Sequence, residues 1–330
     1  MAGITSFDKA PLGAGKLLAL LRERGLEVND EPLAYHALNR IGFYRLTGYF
    51  LPFQNVRSPF SPHNFHQGTK FEDVMALYSF DTEMRSLVSQ ALEKLEVAIR
   101  TSICEFMCAK YGAHWYVDAR SLEVGKHTAI MDEAAKHLDF DLQNSRPFWQ
   151  EPDAASRKAK QLFLAHYYAK YNDPKMPPAW MLRELATFGF WARLYDALTP
   201  ADKKQVANAW RYPDGTRIDD ELLASWFWSL SILRNRCSHH TRITSRHFPF
   251  PPKLPAKNPS KDLFYSKTDD LHTLLVIIRI LINSAYPSYD WKGEIMKLFK
   301  KYQYVNIEKA TGFSLEGKDF WGQTVFWTLN

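Results

Sequence analysis

The sequence predicts an all-α fold, and three observations carry that expectation. Apolar residues recur at three- and four-residue steps along most of the chain, the spacing that lines them up on one face of a helix. Thr69-Lys70-Phe71-Glu72 has the form of a capping box at the head of the longest such run: a hydroxyl to accept a backbone N–H, and a carboxylate three residues on to reach back. Strand-like alternation is confined to two short segments, Phe43–Phe50 and Gln323–Leu329.

Taken in order, two short helical patterns lie near Lys16–Arg24 and Glu31–Asn39. After the capping box, Val74, Leu77, Met84, Leu87, Leu92, Leu95 and Ile99 continue to Tyr111-Gly112, where glycine suits a left-handed C-cap. This is one long helix or two with a bend. Further helical patterns cover Lys126–Leu142, Ser156–Tyr171, Ala179–Leu198, Pro200–Trp210, Asp219–His240, Thr268–Ala285 and Trp291–Lys301. Between Phe248 and Ser260, prolines at 249, 251, 252, 255 and 259 exclude a helix and read as an extended connector. The expected organisation is an N-terminal helical and loop region over 1–68, a helical body over 69–247, the Pro-rich connector at 248–260 and a C-terminal helical appendage over 261–330.

Composition narrows the class. A chain of 330 residues with 46% hydrophobic and 24% charged residues can bury a sizeable core and reads as a soluble globular protein. The aromatic content, 15%, is read as core mass in preference to a base-stacking platform. A net charge of +6 is compatible with a phosphate-bearing partner without requiring one. Cys104, Cys108 and Cys237, odd in number and irregular in spacing, make a poor disulfide framework and fit a reducing compartment. Cys104 and Cys108 share a helix face and read as buried apolar residues rather than zinc ligands. Met1–Lys16 lacks the apolar run of a signal peptide, and Leu271–Ala285 is too short and too polar to span a bilayer, with His272, Arg279 and Asn283 inside it. The expected location is the cytoplasm. His239, His240 and His247 lack the acidic or thiolate companions of a metal site, and there is no glycine-rich loop, so neither metal nor cofactor is expected.

The segment Leu222–Arg242 carries the chemistry. Leu222, Trp226, Leu230, Leu233 and Cys237 recur at steps of four, four, three and four and make one apolar stripe. Trp228, Ile232, Asn235 and His239 make a second, nearly opposite, apolar early and polar late. A helix with two such faces is deeply buried or lies between its domain and a partner, and the polar end favours a seam between two copies of the chain. Arg234 and His239 are five apart, about 140° around a helix, so they share no narrow face, although arginine's long arm can swing toward the polar sector.

These residue types suit RNA cleavage without a metal. A histidine that titrates near neutrality can take the 2′-OH proton or deliver one to the leaving 5′-oxygen, and an arginine fork can hold the phosphate oxygens. On spacing alone, Arg-x-x-x-x-His suits a structural or merely phosphate-binding role better. Density favours a bound phosphate: Arg234, Asn235, Arg236, Ser238, His239, His240 and Arg242 fall within nine positions at the end of an apolar helix. Among these, Arg234, His239 and Asn235 are the candidate catalytic residues, and Arg236, His240 and Arg242 the candidate RNA-binding ones.

LRNRCSHHTR at 233–242 resembles the signature of the Abi (abortive infection) family of bacterial phage-defence proteins, within the HEPN superfamily of helical ribonucleases. Further segments resemble that family in the same order: IGFYRLTGYFLPF at 41–53, LYSFDTEMRSLVSQALEKLEVAIRT at 77–101, YGAHWY at 111–116 and HYYAKYNDPKMPPAWMLRELATFGFWARLY at 166–195. The likeness spans roughly residues 30 to 250. It departs after the motif, where the family tends to Arg, an apolar residue, Trp and Asn, and this chain has Arg242-Ile243-Thr244-Ser245. The resemblance implies a HEPN-like helical bundle with extra N- and C-terminal helices. It also implies a homodimer with two motifs in one cleft, and RNA as substrate, DNA being spared for want of a 2′-OH. A toxic activity held in check until infection follows, with a structured noncoding RNA as a further partner.

Other candidates have plainer readings. His166 beside Tyr167, Tyr168 and Tyr171 is expected to pack at a helix end. Glu93, Glu96 and Arg100 read as intrahelical ion pairs, with a role for Arg100 in orienting the cleft as the lesser alternative. Arg40, Arg45, Lys158, Lys160 and Lys170 form either a solvated basic face or a phosphate-tracking one.

Overall fold

The computed structural model describes residues 10–55, 63–147, 161–171, 173–256, 264 and 269–312. Two short helices, α1 (Ala14–Glu23) and α2 (Glu31–Ala37), lead through a wide helical turn at Leu38–Gly42 into α3 (Phe43–Phe50). Then comes α4 (Phe71–Tyr111), a single unbroken helix of 41 residues closed by Gly112 at φ 87°. Around it lie α5 (His127–Leu138), α6 (Leu162–Lys170), α7 (Ala179–Leu185), α8 (Phe188–Ala197), α9 (Pro200–Ala207), α10 (Asp220–Ser238), α11 (Leu271–Ala285), α12 (Trp291–Lys301) and α13 (Ile307–Thr311). The fold is an all-α bundle whose only sheet among the described residues is a two-stranded hairpin, Phe140–Asp141 against Arg146–Pro147.

Several local expectations are corrected. Phe43–Phe50 is helix, not strand: Leu46, Tyr49 and Phe50 are buried at three- and four-residue steps while Tyr44 is 91% exposed. Its aromatic content imitates a strand, but its burial has a helical period. The second strand-like segment, Gln323–Leu329, lies outside the described residues. The capping box sits one residue later than expected. Lys70 is the N-cap and its N–H donates to Asp73 Oδ2 at 2.9 Å. Glu72 is then free to accept from the N–H groups of Asn29 and Asp30, tying the head of α4 to the start of α2. The 179–198 pattern is two helices, because Thr187 restarts the chain by accepting from the Phe190 N–H.

The described part of the C-terminal segment, 269–312, packs against the body. Residues Leu271 to Ile282 of α11 are all buried, and the helix packs on α4, α10 and α12 within one continuous core. A helix whose apolar residues run almost all round must be covered by neighbours. The proline-rich stretch is equally attached, running along α10 as a strap. Ser229 Oγ donates to the Phe250 carbonyl, Trp226 Nε1 donates to the Lys253 carbonyl, and the Lys253 N–H donates to Ser225 Oγ at 2.8 Å. Among the described residues, no helix is long and apolar enough to cross a membrane.

α10 runs antiparallel to α4, as three contacts in reverse order show: Arg234 with Glu96, Cys237 with Ser89, and Ile243 just past the helix with Asp81. Asp81 is fully buried. Its Oδ1 accepts from the N–H groups of Ile243 (2.9 Å) and Thr244 (2.8 Å) and from Thr244 Oγ1, and its Oδ2 accepts from Tyr49 Oη and the Arg85 guanidinium. Every lone pair of a buried carboxylate is thereby used. Asp81→Asn turns an amide donor toward Tyr49 and Arg85 and leaves a buried guanidinium without its counter-charge. Chemical denaturation is expected to show a loss of about 3–5 kcal/mol, against less than about 0.5 kcal/mol for Glu93→Gln on the exposed side of the same helix.

Candidate active site

The motif helix begins with a strong cap, Asp219 Oδ1 accepting from the N–H groups of Glu221 and Leu222. Trp226, Leu230, Leu233 and Cys237 are buried as the first stripe requires, with Leu222 at its edge half-buried. The second stripe opens to solvent: Trp228 is 36% exposed, Ile232 half-buried, and Asn235 and His239 exposed. Arg193 of α8 lies over the Trp228 ring at 5.5 Å, and Phe250 of the strap meets it edge-on.

The helix stops at Ser238, two residues short of the expected end, and how it stops displays the histidines. His239 is the C-cap, its N–H bonded to the Asn235 carbonyl. The His240 N–H donates to the Cys237 carbonyl at 3.0 Å and the Thr241 N–H to the Arg236 carbonyl at 2.9 Å, the paired bonds of a Schellman ending. His240 occupies the left-handed position of that ending at φ 54°, where glycine is usual. Its carbonyl accepts from the Arg45 guanidinium at 2.6 Å, so α3 braces the turn. Both imidazoles face solvent.

Arg234 lies one turn back, 38% of its side chain exposed. Its Nε donates to Glu96 Oε2 at 3.2 Å, and one terminal nitrogen donates to Asn235 Oδ1 at 3.4 Å. The Glu96 side chain is only 9% exposed, and its other oxygen accepts from Arg100, which also reaches the Arg183 carbonyl. Burial first, and then the nearby charge of Arg234, hold the Arg100 guanidinium down to about 10. One buried carboxylate thus holds two guanidinium groups, and only Arg234 presents its outer edge to solvent. Sequence reasoning took Glu96 and Arg100 for an intrahelical pair. That pair exists, and its extension to Arg234 is what the sequence does not announce.

The candidate phosphate-binding residues differ in setting. Arg236 lies over the Phe248 ring at 5.4 Å, half-buried, and His240 is exposed. Arg242 departs from expectation: its guanidinium donates to the carbonyls of Gly48 and Ser245 and lies over Tyr49. It pins α3 to the segment after the motif, a structural role that engages two of its five N–H donors. Tyr44, one residue before Arg45, is an exposed aromatic of α3 that sequence reasoning did not single out. The earlier expectation for His166 fails, since that side chain is exposed in mid-helix, and it is His114 that meets Tyr167, 3.3 Å from its hydroxyl. Of the five basic residues weighed as a surface, Lys158 and Lys160 lie outside the described residues, Arg40 and Lys170 are exposed, and Arg45 holds the turn.

The thiols sit in apolar surroundings. Cys104 and Cys108 lie 3.9 Å apart on α4, and burial pushes Cys104 upward and Cys237 up to about 11, away from the thiolate form. No group of three or more His, Cys, Asp or Glu side chains able to hold a metal occurs among the described residues.

His240→Gly relieves the left-handed strain at the helix end. Thermal unfolding should show a gain of about 0.5–1 kcal/mol; an unchanged or lowered midpoint would mean that the imidazole contributes to the fold.

In comparisons with known proteins, the family model described as "Abi-like protein" matches residues 36–245, which is 210 of the chain's 330 residues. No curated protein and no solved structure matches. The matched span takes in α3, α4, α10, Glu96 and the whole Arg234–His239 motif, and the chain belongs to the Abi-like protein family.

Proposed function

We propose that this chain is a metal-independent RNA endonuclease of phage defence, with His239 as the proton-transfer group, Arg234 as the phosphate clamp and Asn235 beside them. Family membership points to abortive infection. The ribonuclease reading rests chiefly on one observation: a half-exposed guanidinium anchored by a buried carboxylate, one turn before two solvent-facing imidazoles.

A base removes the 2′-OH proton, the 2′-oxygen attacks phosphorus, and the P–O5′ bond breaks as an acid protonates the departing oxygen. The products are a 2′,3′-cyclic phosphate and a 5′-hydroxyl. The phosphorus gathers negative charge on its non-bridging oxygens, which a fixed guanidinium stabilises. The Glu96 bond keeps Arg234 from wandering and so lowers the ordering cost of that contact. HEPN-type chemistry of this kind needs two proton-transfer groups at one phosphate. A homodimer through the Trp228, Ile232, Asn235 and His239 face brings two copies of His239 to one cleft. A structured noncoding RNA bound across the same face would keep the cleft closed until infection. The cell interior is the setting this reading requires.

Labelled single-stranded RNA incubated with the purified chain in excess chelator tests the reaction. Cleavage to cyclic-phosphate ends is expected, falling about 10²–10⁴-fold in His239→Ala and also collapsing in Arg234→Ala. RNA retained intact by the wild-type chain would instead identify a non-catalytic RNA-binding protein. For the dimer, Ile232→Glu should give a monomer by light scattering, with helicity retained and cleavage lost. A variant still dimeric and active would move the interface elsewhere.

A further inference from the structure

Beyond the motif helix, a cleft of about 710 Å³ opens between the Leu51–Pro52 corner after α3, the segment that follows the motif, and α13. Its charged lining includes Arg242, Arg246 and Lys309 together with Asp270 and Glu308. Most of these groups already have work within the fold. Asp270 caps α11 by accepting from the Thr273 N–H, Lys309 donates to the Pro52 carbonyl, and Arg242 is bound to two carbonyls. His247, also on the wall, has Nδ1 2.9 Å from an Asp269 carboxylate oxygen. Arg246 is different: it is exposed, and no hydrogen bond or ion pair engages it among the described residues.

Its position also places it near two other cations. Arg246 stands near enough to Arg236 and to Arg242 for its charge to add to burial in lowering both guanidinium groups. The dipole at the end of α10 accounts for Arg236 in the last turn, but it fades within a turn and cannot account for a cation eight residues past Ser238. Arg242 and Arg246 both line the cleft, so two like charges stand on the wall formed by the segment after the motif. A phosphodiester chain carries charge at every linkage and can relieve such repulsion at more than one point, whereas a single carboxylate would relieve it at one.

We infer that the cleft beside Arg246 is a phosphate subsite for single-stranded RNA, taking a backbone phosphate next to the scissile linkage, with Arg246 as its principal donor. This deepens the RNA reading above and rests on it for the nature of the ligand. It assigns to Arg246 a binding duty separate from the cleavage attributed to His239. Because Arg246 is exposed and engaged by no hydrogen bond or ion pair among the described residues, its replacement is expected to leave the fold intact.

The test uses the full-length chain and a fluorescein-labelled single-stranded RNA, 2′-O-methylated throughout so that it cannot be cut. Anisotropy is read over a series of KCl concentrations. Arg246→Ala should weaken binding roughly tenfold at low salt and reduce the slope of log affinity against log salt by about 0.7, one single-strand phosphate contact. Arg246→Lys should restore the slope, and Lys136→Ala, an exposed cation on α5, should leave it unchanged. Arg246→Ala matching wild type overturns the subsite, as does an equal loss in Lys136→Ala or an absence of RNA binding by the wild-type chain. Cleavage of unmethylated RNA is scored separately. Tight, Arg246-dependent binding without cleavage supports the subsite while refuting the nuclease, and cleavage indifferent to Arg246 does the reverse.

Discussion

Two buried carboxylates on one helix hold the motif in place. Asp81 and Glu96 lie fifteen residues apart on α4, roughly 22 Å along its axis, and each is paired with an arginine four residues on. Asp81 captures the backbone just after the motif through Ile243 and Thr244, and Glu96 captures Arg234 within it. Between these two anchors the chain must finish its helix, turn and leave. The turn at His239 and His240 is therefore held at both ends, although both side chains are in water. A buried charge is costly unless fully partnered, and here the partnering fixes where the surface residues stand.

The rest of the bundle can be understood as support for that arrangement. α3 contributes Tyr49 to Asp81, Arg45 to the His240 carbonyl and the Gly48 carbonyl to Arg242, so it grips the post-motif segment from the outside. The proline-rich strap follows α10 backward and supplies carbonyls to Trp226 and Ser229. α11 fills the space between α4, α10 and α12, buried on all sides from Leu271 to Ile282. Through that contact with α10 it joins the C-terminal helices to the core behind the motif helix.

Much of the architecture is legible in the sequence because helical periodicity is a local signal. The helical run of α4, the stripe Trp226-Leu230-Leu233-Cys237 and the glycine stop at 112 follow from residue spacing, whereas spacing leaves open whether α4 is one helix or two with a bend. What is not legible depends on contacts distant in sequence. Phe43–Phe50 alternates well enough to imitate a strand, and only its packing on α4 selects the helix. The prolines after 248 do exclude a helix, but whether they span a gap or lie along a neighbour is decided by hydrogen bonds to α10. At the site, the Arg234–His239 spacing is visible in the chain, whereas the link from Arg234 to Glu96 crosses 138 positions. Arg242 carries a second role the sequence does not show, since its carbonyl partners Gly48 and Ser245 are distant or unmarked in the motif.

The central claim is that Glu96-anchored Arg234 and solvent-facing His239 meet at one RNA phosphate. The most direct measurement is an experimental structure of the chain bound to RNA carrying a 2′-O-methyl group at the scissile nucleotide. The account predicts that phosphate within hydrogen-bonding distance of the Arg234 guanidinium and of a His239 ring, from the same copy or its mate, with the Glu96 contact intact. RNA bound on another face, or a phosphate engaged by neither side chain, would contradict it.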